Sequence, residues 1–158
     1  MLKVSDRRIA RIVKGAQDLP GQQLFQYLDD DGERRQVASQ DVNAYIREAG
    51  GGPFSSKHFR TWGGTVRALG LFAGLEVPDS ERARAIAVNQ AIDAVATRLG
   101  NTRSICRKCY VHPAVLEHWQ QDDLSATLAD VRRRYRRTPA GLDRGEYLAL
   151  RWLEAVAG

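Results

Sequence analysis

Nineteen residues, Glu81 to Leu99, run as ERARAIAVNQAIDAVATRL without a glycine or a proline, between Pro78-Asp79-Ser80 and Gly100. Such a segment reads as one long helix. Ser80 offers a side-chain oxygen to the first turn, and Gly100 can leave the last turn in the left-handed conformation. The rest of the chain is punctuated in the same way. Ser5 can cap DRRIARIVKGAQ, with Ile9, Ile12 and Val13 at helical spacing, and DLPG ends it. QLFQYL followed by DDDGERRQV predicts a short strand, an acidic turn and a small β-ribbon. Ser39 opens QDVNAYIREA, which Gly50, Gly51, Gly52 and Pro53 break. Ser55 or Ser56 caps KHFRTWGGTVRALGLFAGL, whose apolar stripe is Phe59, Trp62, Val66 and Leu69. After Gly100, NTRSICRKCY predicts a short capped helix and Pro113 opens AVLEHWQ. LSATLADVRRRYRR and RGEYLALRWLEAVA complete a mainly α, multi-helix chain with a small β element.

The 158 residues, 43% of them hydrophobic, suit one domain, or one domain with a small appendage, with a sizeable core. The net charge of +5 favours an acidic partner such as nucleic acid. Of 24 basic residues only four are lysine. Arginine forks onto phosphate oxygens as lysine cannot, although a GC-rich genome produces the same bias. No apolar run is long enough to span a membrane, and MLKVSDRRIARIVKG lacks the apolar core of a signal peptide. Two cysteines without a secretion signal imply a reduced cytoplasmic setting.

The chemistry concentrates in GNTRSICRKCYVHP, Gly100 to Pro113. Tyr110 has Arg103, Arg107 and Lys108 near it in sequence, with hydroxyls at Thr102 and Ser104. Cations lower the cost of a phenolate and attract phosphate, as a tyrosine nucleophile would need; plain packing is the alternative. Asn101 lies nine residues before Tyr110. On one straight helix nine steps turn about 900° and put the two on opposite faces. They can meet at one phosphate only if Gly100 and Asn101 form a loop before the short helix; otherwise Asn101 is a helix cap. Lys57 and Arg60 share a helical face, as a phosphate clamp or as a solvated surface. Gly63 and Gly64 each cost a helix about 1 kcal/mol relative to alanine, so they imply close approach of another helix or of DNA backbone. Cys106, Cys109, His112 and His118 have ligand-like types in a C-x2-C-x2-H-x5-H spacing, but two lie on a helix and a proline follows the third. Two small buried hydrophobes are the simpler account of the cysteines. DDDGE lacks the remaining positions of a calcium loop. There is no Walker A loop, Ser/His/Asp set or paired-carboxylate pattern.

Taken together, QDLPGQQLFQYLDDDGERRQV, KHFRTWGGT and LGNTRSICRKCYVHP resemble the catalytic domain of bacterial, poxvirus-like type IB DNA topoisomerases, over nearly the whole chain from about Ser5. The K-x-x-R-T-[WY] and L-G-[HN]-T-x(7)-Y pieces also mark the wider superfamily shared with tyrosine recombinases. The resemblance implies that 1–158 is the C-terminal portion of that domain. It implies cleavage of one DNA strand by Tyr110 through a 3′-phosphotyrosyl intermediate, swivelling and resealing, without metal, nucleotide or other cofactor. Arg60 and Asn101 would hold phosphoryl oxygens. Lys57, Arg103, Arg107 and Lys108 would contact double-stranded DNA. A monomer in the cytoplasm, associated with the nucleoid, is expected.

In the family the first active-site arginine and a general-acid lysine on a β-hairpin precede the helix matching SDRRIARIV. Lys3 is the nearest counterpart here, and the chain alone is expected to relax plasmid below family rates. A non-catalytic duplex-binding remnant, a site-specific tyrosine recombinase and a helical structural protein with a basic surface are the competing readings.

Overall fold

A computed structural model describes residues 6–17 and 24–157. Lys3 and Ser5, and the first residue of the QLFQYL strand reading, lie outside them. The fold is mainly α, as expected, with a small two-stranded sheet. Two compact units divide at His58/Phe59.

The first unit contains α1 (Arg7–Gln17), β1 (Gln26–Leu28), β2 (Arg34–Gln36) and α2 (Ser39–Gly50). Asp6 caps α1: its Oδ1 accepts the N–H groups of Arg8 at 2.7 Å and Ile9 at 3.0 Å. The strands pair antiparallel with Tyr27 opposite Arg35. Asp29 closes their turn, accepting from Glu33 N–H at 2.8 Å and Arg35 Nε at 2.7 Å, while Gly32 supplies the positive φ of 76°. Ser39 begins α2, but the capping contact runs backwards, from Ala38 N–H to Asp41 Oδ2 at 2.7 Å. Among the described residues of this unit none is buried.

Most of α3 (Ser56–Phe72), α4 (Glu81–Leu99), α5 (Arg103–Cys109), α6 (Pro113–Gln120), α7 (Leu124–Arg134) and α8 (Arg144–Ala157) form the second unit. The ends of α4 are as its sequence predicts. Ser80 Oγ accepts Ala83 N–H at 3.2 Å, Gly100 turns left-handed at φ 66°, and Asn101 N–H bonds back to Ala96 C=O at 2.9 Å. Its Val88, Ala91, Ile92, Val95 and Ala96 follow i, i+3, i+4, i+7, i+8 spacing. They pack in one cluster with Leu69 and Phe72 of α3, Cys106 of α5, Val115 and Trp119 of α6, Leu124, Leu128 and Val131 of α7, and Leu148 and Trp152 of α8. Both buried indoles find acceptors: Trp119 Nε1 donates to Leu75 C=O at 3.0 Å and Trp152 Nε1 to Thr127 Oγ1 at 2.9 Å.

Two expectations are corrected here. Of the expected α3 stripe, Leu69 is core and Trp62 and Val66 pack against it, but Phe59 is 64% exposed, and the fully buried face is Gly64, Thr65, Ala68, Leu69 and Phe72. A stripe drawn through large apolar residues passes over the small ones that let neighbouring chain come close. The basic helix also stops at Arg134 instead of continuing through Arg137, because Tyr135 leaves helical geometry. Its ring packs edge-on against Tyr147 and under the Arg151 guanidinium.

Candidate active site

The short helix α5 decides where Tyr110 points. Thr102 starts it, its Oγ1 accepting Ile105 N–H at 3.4 Å. Asn101 therefore lies in the turn between α4 and α5, outside both helices, as a meeting with Tyr110 requires. At the other end Tyr110 N–H still bonds to Cys106 C=O at 2.9 Å, but φ −127° and ψ 0° take the residue out of the helix. Cys106 anchors α5 in the core with no exposed surface, and burial pushes its thiol pKa up.

A second tether is the Arg103–Asp93 ion pair, with Nε 2.6 Å from Oδ1 and Nη2 on Oδ2. The hydrogen bonds from Arg103 hold the Asp93 carboxyl below its ordinary value, and Asp93 raises Arg103 in turn. A depressed carboxyl pKa stabilises the fold above the ordinary aspartate value of 3.8 and loses that contribution as pH falls through the lowered one. The Asp93 carboxyl carbon, followed by NMR, is expected to titrate below 3.8, and Arg103→Leu to move the midpoint back up toward it. An unchanged midpoint in the variant would remove this tether from the account.

Arg60, on the second turn of α3, links the pieces. Its Nη2 donates to Leu99 C=O at 2.7 Å, and its guanidinium carbon lies 5.3 Å from the centre of the Tyr110 ring. Asn101 Nδ2 donates to the same Leu99 oxygen at 3.2 Å. All three side chains are half-buried. Arg60 and Asn101 thus share the last carbonyl of α4, and Arg60 also lies over the Tyr110 ring.

Next to Arg60, α3 also touches the backbone on both sides of the tyrosine. Thr61 Oγ1 donates to Cys109 C=O at 3.3 Å, and Thr65 Oγ1 accepts His112 N–H at 3.1 Å. A Cβ at Gly64 would lie 2.3 Å from the Tyr110 carbonyl oxygen, whereas one at Gly63 would meet nothing within 4 Å. Of the two glycines, one answers the expectation of close approach, and the approaching chain is the tyrosine segment itself. Thr61 stood in the sequence as the T of K-x-x-R-T-[WY] with no role assigned to it, and Thr65 had only its i, i+4 spacing from Thr61 around Gly64.

The other expected DNA contacts are dispersed. Lys57 is exposed on the first turn of α3, and Lys108 is exposed on α5. Arg107 lines a cleft of about 420 Å³ with Arg84, Asn89 and Glu81. Arg103 is engaged by Asp93. The four residues with ligand-like spacing also part company. Cys106 is core, Cys109 is half-buried, His112 Nδ1 accepts Ala114 N–H to cap α6, and His118 Nδ1 sits 2.7 Å from Asp123 Oδ1.

The family model for the catalytic core of eukaryotic DNA topoisomerase I matches residues 2–136. The chain belongs to the type IB DNA topoisomerase family. It is also 31% identical over 117 residues to DNA topoisomerase 1B of Acanthamoeba polyphaga mimivirus, an alignment covering 70% of this chain and 35% of that protein. The chain therefore spans about a third of the length of this relative. Helix α8 lies beyond the region matched by the topoisomerase family model. Among the described residues no helix is long and apolar enough to cross a membrane.

Proposed function

We propose that this chain carries the nucleophile and two phosphate-binding groups of a type IB topoisomerase site acting on duplex DNA. The observation that supports it most is that Arg60 shares Leu99 C=O with Asn101 and at the same time lies over the Tyr110 ring. In this reading Tyr110 Oη forms a bond to the scissile phosphorus and loses its proton to solvent. The bond to the 5′-oxygen breaks, that oxygen takes a proton from solvent to become a 5′-hydroxyl, and a 3′-phosphotyrosine is left. Resealing is the reverse attack by the 5′-hydroxyl. The phosphotyrosine keeps the energy of the cleaved bond, so no nucleotide is consumed. Arg60 holds two phosphoryl oxygens with the N–H groups that face away from Leu99, and Asn101 donates to one of them; such donors act where charge develops in the transition state. Neither is an acid for the 5′-oxygen, since a guanidinium and a neutral amide donate hydrogen bonds but keep their protons. Lys57, Arg107 and Lys108 contact DNA phosphates, so binding weakens steeply with salt. The chain works as a monomer on the nucleoid in the cytoplasm.

The test uses a duplex with a 5′-bridging phosphorothiolate at the scissile position, because a thiolate leaves without an acid. The expected result is a covalent DNA adduct that survives denaturing electrophoresis and is absent in Tyr110→Phe. Salt-dependent duplex binding with no adduct at saturating DNA would instead identify a non-catalytic DNA-binding chain, and strand exchange between two defined sites a recombinase.

A further inference from the structure

We propose that Thr61, Gly64 and Thr65 are positioning residues that hold the Tyr110 segment in register with Arg60. The inference rests on the catalytic reading of Tyr110 given above. The three lie at i, i+3 and i+4, on one face of α3. Each meets a different backbone group of the same four-residue stretch: Cys109 C=O at 3.3 Å, the Tyr110 carbonyl and His112 N–H at 3.1 Å.

The stretch needs such a hold. Tyr110 is past the end of a seven-residue helix and before Pro113 starts the next, so helical hydrogen bonding fixes it only through its own N–H. Its C=O faces α3 at a spacing that leaves no room for a methyl group, since a Cβ on Gly64 would also come within 3.2 Å of the Tyr110 carbonyl carbon and Cβ. Thr65 is 2% exposed, with its hydroxyl on His112 N–H. A buried hydroxyl with a fixed partner locates that backbone better than packing alone.

Arg60 is the residue before Thr61 and one turn before Gly64. One rigid helix therefore carries both the guanidinium and the surface on which the tyrosine backbone rests. The distance between cation and phenol therefore depends on where the tyrosine segment rests on α3. Sliding the Tyr110 segment along α3 would move the phenol relative to the phosphate without emptying the phosphate-binding groups, so it should slow attack and spare DNA affinity. Misplacement by about 1 Å can cost on the order of 10²-fold in rate.

The experiment compares Gly64→Ala, Thr65→Val, Thr65→Ser, Thr61→Val and Gly63→Ala in the full chain. Adduct formation on the phosphorothiolate duplex is measured at saturating DNA, alongside duplex affinity and the ring signals of ¹³C-labelled tyrosine, with Tyr110 assigned from Tyr110→Phe. Gly64→Ala and Thr65→Val are expected to slow adduct formation by about 10–10²-fold, with affinity held within about threefold, and to move the Tyr110 ring signal. Thr61→Val should do so more weakly. Thr65→Ser, which keeps the acceptor, and Gly63→Ala, which fills open space, should behave as the parent chain.

Full-rate attack in Gly64→Ala and Thr65→Val, or a Tyr110 signal that stays in place in both, would overturn the proposal. A loss in Thr65→Ser equal to that in Thr65→Val would do the same. If the parent chain forms no adduct, the catalytic reading fails, and the ring signal alone still decides whether these residues position Tyr110. Should Gly64→Ala fail to fold, the pair of Thr65 variants carries the comparison.

Discussion

Replacing Arg60 by alanine is expected to lower the rate of covalent adduct formation about 10²–10³-fold, the usual consequence of removing a donor aimed at developing charge. The change removes the cation over the Tyr110 ring and one hydrogen bond to Leu99 C=O, which keeps Asn101 Nδ2 as a partner. The stability loss should therefore stay near the value of a single partly exposed hydrogen bond, about 1 kcal/mol. Arg60→Lys keeps the charge but not the fork or the flat stacking surface, so it should recover only part of the rate. Single-turnover cleavage at saturating DNA, with thermal melting beside it, separates the two effects. Parent-like cleavage in Arg60→Ala would remove Arg60 from the site.

Trp152→Ala is expected to cost about 3–5 kcal/mol of stability, the range for emptying an aromatic site in a packed core. Trp152 has no exposed surface, packs edge-on against His118 with ring centres 5.3 Å apart and donates to Thr127 Oγ1. A loss of that size should lower the melting temperature by on the order of 10–20 °C. Trp152→Phe keeps most of the volume and gives up the indole N–H. Thr127 Oγ1 still bonds to Asp123 C=O and Leu124 C=O, so this variant should cost much less. Because Trp152 belongs to α8, beyond the region matched by the family model, it also tests whether that helix completes the core. A denaturation midpoint for Trp152→Ala close to that of the parent chain would show that it does not. Adduct formation per folded molecule should be unaffected in either variant.

Much of the helical order was legible because its causes are local. Ser80, Gly100 and Pro113 act on groups within a turn of themselves, so their meaning survives without knowledge of the fold, whereas Thr102 rather than the expected Asn101 caps α5. The family was legible for a related reason, since KHFRTWGGT and LGNTRSICRKCYVHP keep residue types and spacing together. The errors came where a tertiary neighbour outranked a local preference. Phe59 has the composition of a core residue but is 64% exposed, while the small Gly64 and Thr65 of the same helix are buried. Tyr135 could continue a helix, yet its ring has Tyr147 and Arg151 to pack against. Arg103 looked like one of a cluster of free cations until Asp93, ten residues earlier, came within reach through the turn at Gly100.

The sequence by itself determined the helices, their caps and the three residue types at the site. Only the tertiary structure decided that Arg60 reaches Leu99 C=O across 39 residues and covers the Tyr110 ring, and that Gly64, not Gly63, is the glycine with a neighbour. The physical reason is the range of the forces that select each feature. A cap or a helical turn is chosen by groups a few residues away. The meeting of α3 with the tyrosine segment is chosen by how the whole apolar cluster fills its space, and small residues such as Gly64 and Thr65 carry that information without any periodic signal of their own.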